Sequence, residues 1–205
     1  YKAIQYLSNL LTPDFEKAVQ GIYESSGRLI VTGVGKSAHI AQKMVATFNS
    51  TGTPAIFMHA ADAIHGDLGI ILKDDMVLVI SKSGNTPEIK VLVPLIRLRE
   101  NKIIALTGNI DSYLAQQADF VIDVTVDREA CPNNLAPTTS STAQLVMGDA
   151  IAVSLLELRG FSTDDFAKVH PGGALGKMLY LTAEDIYTHN EKPQVKTDTP
   201  MAEVI

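Results

Sequence analysis

Residues 28–37 read RLIVTGVGKS and residues 76–86 read MVLVISKSGNT. Each is an aliphatic, β-branched run that stops at small polar residues, and each leads into a stretch with helical spacing. Continuous apolar runs of this length predict strands buried on both faces, as in a parallel sheet. A strand, a Gly/Ser loop and a helix in series present unpaired backbone N–H groups at the positive end of the helix dipole, which suits an anion. Two such units on one sheet predict a phosphorylated ligand.

Outward from these units, further strands are expected to start near Pro54, Lys102 and Asp119, with helical patterns over residues 4–25, 39–49, 88–99 and 112–118. Strands alternating with helices imply right-handed crossovers. The predicted fold class is therefore α/β, a three-layer sandwich with a five-stranded parallel sheet flanked by helices. Residues 143–158 carry Leu145, Val146, Met147, Ala150, Ile151, Val153, Leu155 and Leu156, apolar on nearly every face of a helix. One sheet contact cannot satisfy such a helix, so it is expected to lie between its own sheet and a partner subunit. Beyond Tyr187 the chain turns polar, giving one domain over residues 1–187 and a C-terminal tail over 188–205.

With 205 residues, 46% of them hydrophobic, one domain with a full core is expected, burying roughly 70% of its unfolded surface. The formal net charge is −6 with Lys and Arg scattered, so no basic stripe matches a nucleic-acid backbone. The single Cys131 has no internal disulfide partner. No apolar run approaches the roughly 20 residues that cross a membrane, and the chain begins at Tyr1 without a signal-peptide pattern. A cytoplasmic protein without membrane or nucleic-acid partners is the expectation.

The common nucleotide motifs fit poorly. A P-loop ending in Gly35-Lys36-Ser37 needs glycine at position 30, which is Ile30. Residues 33–38 do satisfy a relaxed G-x-G-x-x-A pattern. The second strand, however, runs into His59 rather than an acidic residue that would hold a ribose, and Asp62 comes three residues later. The hydroxyl-rich loop at Ser81 is also unexplained by a dinucleotide.

Seven segments together are similar to sugar isomerase (SIS) domains, and most closely to the bacterial D-arabinose 5-phosphate isomerases. They are residues 33–37 (GVGKS), 50–54 (STGTP), 64–69 (IHGDLG), 81–86 (SKSGNT), 129–132 (EACP), 135–138 (LAPT) and 170–176 (HPGGALG). The resemblance spans about residues 30 to 180 and implies a flavodoxin-like SIS fold. The implied reaction interconverts ribulose 5-phosphate and arabinose 5-phosphate, the precursor of the acid sugar Kdo of lipopolysaccharide and capsule. The family loop usually carries Asn or Gln where Lys82 stands and Glu where Asn85 stands, so the charge near the ligand is more positive by two. Many members continue into a paired CBS module, and this chain ends about where that would begin. Regulation is thus expected to act on the SIS domain, for instance by a downstream Kdo nucleotide. The family also implies a dimer or tetramer.

Ser81, Lys82, Ser83, Gly84 and Thr86, with Gly35 and Ser37 of the first loop, are the expected phosphate and sugar contacts. Thr86 followed by Pro87 is also a common N-cap pairing. Thr138, heading TTSST, is expected to add a contact or to cap the long helix. Aldose–ketose isomerisation needs ring opening, a proton moved between C1 and C2, and a stabilised enediolate. Glu88, in the first turn after the phosphate loop, is a candidate base whose pKa a phosphate dianion would raise, or a carboxylate that merely complements the dipole. Glu129 is the other carboxylate, on the family motif. His65 and His170 lie in Gly-flanked loops, where histidines serve chemistry more than packing. One is expected to open the ring and the other to assist transfer between O1 and O2, in an order the sequence does not give. Lys36 would steady the enediolate. No pair has a short metal-ligand spacing, so neither metal nor other cofactor is expected, and Cys131 is read as packing or substrate-adjacent. The rivals are a non-catalytic phosphosugar sensor, or an isomerase of another sugar phosphate.

Overall fold

The computed structural model describes residues 1–180, 196 and 198–200. Those residues pack as two units, one from Tyr1 to Phe161 and one from Ser162 onward. The expected domain limit at 187 and nearly all of the 188–205 tail lie outside the described residues.

The first unit is built on five parallel strands: β1 Leu29–Gly33, β2 Ala55–His59, β3 Met76–Ser81, β4 Ile103–Thr107 and β5 Phe120–Asp123. Their order is β2-β1-β3-β4-β5. Its helices are α1 Lys2–Tyr6, α2 Pro13–Glu24, α3 Lys36–Ser50, α4 Pro87–Leu98, α5 Tyr113–Gln117 and α6 Thr139–Leu158. Strand side chains alternate between two apolar layers, as the pleat requires. Leu29, Val31, Leu78, Ile80, Ile104 and Leu106 meet α2, α3 and α6. Ile30, Val77, Val79, Ile103 and Ala105 meet α4 and α5. The expected three-layer α/β sandwich is thus present, with every residue of β1, β3 and β4 buried.

The order reverses at β1 and β3, whose crossovers leave in opposite directions. A doubly wound sheet opens a crevice at the carboxyl ends of such a pair. Gly33↔Ile80 is the last pairing there, with Ser81 and Thr107 matched on the far side of β3.

Two elements differ from the sequence expectation. The N-terminal stretch is not one helix: a 3-10 turn over Leu7–Leu10 follows α1, and Pro13 opens α2 at a first-turn position where its missing N–H costs nothing. The apolar helix starts at Thr139, not at residue 143, because Ser and Thr there form its first turn. At 20 residues and mean hydropathy 1.2, α6 is the one helix among the described residues long and apolar enough to cross a membrane, which the count of apolar runs missed. Ser140, Ala143, Gln144, Met147, Ile151 and Leu155 form its buried face, while Val146, Val153 and Leu158 are exposed.

The second unit contains α7 Thr163–Val169 and α8 Ala174–Tyr180. A reciprocal capping box between Ser162 and Asp165 starts α7.

Candidate active site

A cavity of about 300 Å³ occupies the crevice between β1 and β3. Its walls come from the start of α3 (Lys36, Ser37), the loop after β3 (Ser81, Lys82, Ser83, Thr86) and the first turns of α6 (Ser140, Ser141, Gln144).

The backbone at this crevice is set by two glycines. Gly35 caps α3 with φ of 58° and ψ of −125°, a conformation that a side chain would strain. Gly84 has φ of 63°, and a Cβ on it would fall 2.0 Å from Ser112 Oγ. The loop is wound by its own hydroxyls: the Gly84 N–H donates to Ser81 Oγ at 3.1 Å and the Asn85 N–H to Ser83 Oγ at 3.3 Å. Each serine therefore accepts from the loop and keeps its own proton for a ligand. Thr86 occupies the N-cap position of α4 with Pro87 following, yet its side chain makes no capping bond. Its Oγ1 is buried and has no hydrogen-bond partner among the described residues. A buried hydroxyl without a partner, on a residue that lines the crevice, marks a place where a ligand or water bonds.

Asn85, where the family loop usually carries Glu, turns away from the cavity. Its Oδ1 accepts from the Tyr113 N–H at 3.1 Å and its Nδ2 donates to the Ser83 carbonyl, so it caps α5. Lys82 behaves differently. Its Nζ lies 2.6 Å from Oε1 of Glu129, whose side chain is wholly buried. Glu129 also accepts from Ser140 Oγ at 2.5 Å, from the Ser140 and Thr138 N–H groups at 3.1 and 2.8 Å, and from Thr138 Oγ1 at 3.3 Å. Burial works to raise its pKa, and the hydrogen bonds from Lys82, Ser140 and Thr138 more than offset it, holding it at about 2.

The crevice thus brings together Lys36, Ser37, Ser81, Lys82, Ser83 and Thr86. Gly35 and Gly84 shape its backbone. Glu129 and Thr138 stand behind the lining, joined to it through Lys82 and Ser140. Glu88 lies half-buried in the first turn of α4, and His65, itself exposed, ends a 3-10 turn, Ala63–His65, after β2. Neither is among the lining residues. His170 belongs to the second unit, where it closes α7. Its ring stacks on Phe166 at 4.0 Å between centroids, and Nδ1 lies 3.0 Å from the Phe166 carbonyl oxygen. That contact favours the Nδ1–H tautomer and leaves Nε2 as the basic nitrogen.

Gln144 was not singled out from the sequence. It is 2% exposed and its Oε1 accepts from Ser37 Oγ at 3.3 Å. An amide at the start of the apolar stretch of α6 was the available signal. Cys131 sits half-buried in the loop after β5, its Sγ accepting from the Ala136 and Leu135 N–H groups, which lower its pKa. Among the described residues, no three His, Cys, Asp or Glu side chains converge as metal ligands.

Residues 22–154 match the SIS domain family. The chain is 49% identical over 200 residues to the Pseudomonas aeruginosa protein named arabinose 5-phosphate isomerase KdsD, covering 97% of this chain and 61% of that one. It is 46% identical over 200 residues to the protein of that name in Escherichia coli K12, with the same coverage. The chain therefore spans about 61% of the length of these curated relatives. Among solved structures, the E. coli CFT073 protein c3406 in complex with arabinose 5-phosphate superposes with a TM-score of 0.80 at 41% identity, covering 83% of this chain and 90% of that one.

Proposed function

Because the chain belongs to the SIS domain family, we propose that it is an aldose–ketose isomerase interconverting D-ribulose 5-phosphate and D-arabinose 5-phosphate through an enediol. The observation that carries this reading is the crevice at the β1/β3 crossover: hydroxyls of Ser81, Ser83 and Thr86 with Lys82 in the loop before α4 and Lys36 at the start of α3, sized for a small phosphorylated sugar. The names of the relatives and the sugar-phosphate complex of the E. coli CFT073 protein supply the sugar.

In this reading the phosphate rests against the start of α4, with Thr86 Oγ1 donating to it and Lys82 balancing its charge. Anchoring the phosphate fixes the carbon chain, so that a base meets the C2 proton of the aldose or the C1 proton of the ketose. Removal of that proton gives the enediolate, and its return to the neighbouring carbon completes the interconversion. Lys36 stabilises the charge that develops on O1 and O2. Acid and base duties fall to His65, Glu88 and His170, with one histidine opening the ring. His65 and Glu88 do not line the crevice of their own chain, so a second copy packed on the exposed apolar face of α6 is proposed to complete the site, in a dimer or tetramer.

The product would feed Kdo assembly for lipopolysaccharide or capsule in the cytoplasm, and a Kdo nucleotide is the proposed feedback ligand. Turnover of ribulose 5-phosphate by the purified chain tests the assignment. Turnover that a saturating Kdo nucleotide leaves unchanged would dispose of the feedback. Mixing His65→Ala with Lys36→Ala protein tests the shared site: activity regained on mixing is expected, and none regained counts against it.

A further inference from the structure

On the isomerase reading above, we infer that Glu129 is a positioning residue that holds the Lys82 ammonium at the mouth of the crevice, and that it carries no proton in the reaction. Glu129 is wholly buried and does not line the cavity, whereas its partners Lys82 and Ser140 do. Both of its oxygens are occupied: Oε1 by Lys82 Nζ and Ser140 Oγ, Oε2 by two backbone N–H groups and Thr138 Oγ1. A general base needs a free lone pair within reach of the substrate proton, and this carboxylate offers none. Five donors directed at one group instead define a socket for an anion, and the ionised carboxylate is that anion.

The path of Lys82 supports the same reading. Its side chain leaves the loop after β3 and reaches the loop after β5, so it must pass over the end of β4. Gly108 stands there, its N–H donating to the Lys82 carbonyl at 3.1 Å. A Cβ at Gly108 would lie 3.1 Å from that carbonyl oxygen and 3.6 Å from Lys82 Cγ. The Lys82 stem therefore runs alongside Gly108, within van der Waals reach of that position. A lysine left unanchored would spread its charge over many rotamers; one end tied at 2.6 Å fixes the ammonium beside Ser140, whose Oγ donates to the same carboxylate oxygen. A bound phosphate would then meet a cation already in place.

The test is a double-variant cycle on the full chain with Lys82→Gln, Glu129→Gln and the pair combined. Readouts are kcat and KM for ribulose 5-phosphate across pH, and calorimetric affinity for inorganic phosphate. Each single variant is expected to raise KM about 10-fold with kcat within about 3-fold. The double variant should be no worse than the poorer single, and the acid limb of the kcat profile should survive in Glu129→Gln. A loss of about 100-fold or more in kcat at unchanged KM in Glu129→Gln would make it the base and overturn the inference. Unchanged KM and kcat would overturn it equally. Should Glu129→Gln not fold, Glu129→Asp keeps the charge and draws it back from Lys82; raised KM supports the inference and wild-type KM overturns it. If the wild type does not turn over ribulose 5-phosphate, the isomerase reading fails on its own. Phosphate affinity then decides this one: equal weakening in both single variants and no further loss in the double supports it, and wild-type affinity in Glu129→Gln overturns it.

Discussion

Ser37 and Gln144, 107 positions apart in the chain, meet at the floor of the crevice, where the serine hydroxyl donates to the amide oxygen at 3.3 Å. The contact joins the first turn of α3 to α6 and fixes the width of the cavity between them. Gln144→Leu keeps the size of the side chain and removes its polar end. Stability should change by less than about 1 kcal/mol, since the amide is exchanged for an apolar group in an apolar helix. KM for the phosphosugar should rise about 5-fold as Ser37 loses its orientation. Urea titration and steady-state kinetics on the same protein check both halves.

Thr86 offers a sharper separation of folding from binding. Its Oγ1 has no partner among the described residues, so Thr86→Val removes a buried hydroxyl while keeping shape. Thermal stability is expected to stay the same or to rise by about 1 kcal/mol, while affinity for the phosphosugar falls about 10-fold. Equal affinity in the variant would assign the hydroxyl to water rather than to ligand.

Acid unfolding should report on Glu129. Its folded pKa of about 2 lies below its ordinary value of 4.5. The stabilisation is therefore fully present above the unfolded value and is lost as pH falls through the folded one. It amounts to about 3 kcal/mol, drawn down between about pH 5 and pH 2. Glu129→Gln has no such group, so its urea midpoint should fall less than that of the wild type between pH 6 and pH 3.

At the opposite end of the sheet, Asp75 receives the Arg28 N–H at 2.8 Å, the Arg28 guanidinium at 2.7 Å and the Leu72 N–H at 2.9 Å. Burial works to raise the Asp75 pKa, and the Arg28 and Leu72 hydrogen bonds more than offset it, leaving it lowered. Asp75→Ala strands these donors and is expected to cost about 3 kcal/mol. Because the pair ties the starts of β1 and β3 rather than their carboxyl ends, kcat and KM of the folded fraction should be unchanged.

The sheet was legible because its signals are local. Short, β-branched aliphatic runs at residues 29–32 and 76–80 favour strands buried on both faces, and Gly33 and Ser81 mark where they stop. The crevice at the ends of β1 and β3 followed, since a loop between a parallel strand and a helix has one place to open. Relations between distant positions were hidden. Nothing near Lys82 states that it will cross β4 to reach Glu129, or that Asn85 will cap α5 instead of facing the ligand. Gln144 escaped notice because its partner Ser37 lies on another helix. The expected start of α6 at residue 143 differs from the observed Thr139 because Ser and Thr read as loop, whereas the Glu129 carboxylate accepts from the N–H groups of the N-cap Thr138 and of Ser140 in the first turn.

The most direct measurement is the fate of the sugar proton. The purified chain is incubated with ribulose 5-phosphate in deuterated water, with chelator present, and the products are followed by NMR. Arabinose 5-phosphate carrying deuterium at C2 is expected, with both product and label lost in Glu88→Gln or His65→Ala. Ribulose 5-phosphate that stays unconverted while the phosphosugar binds would contradict the isomerase reading, leaving a sensor or an isomerase of another sugar.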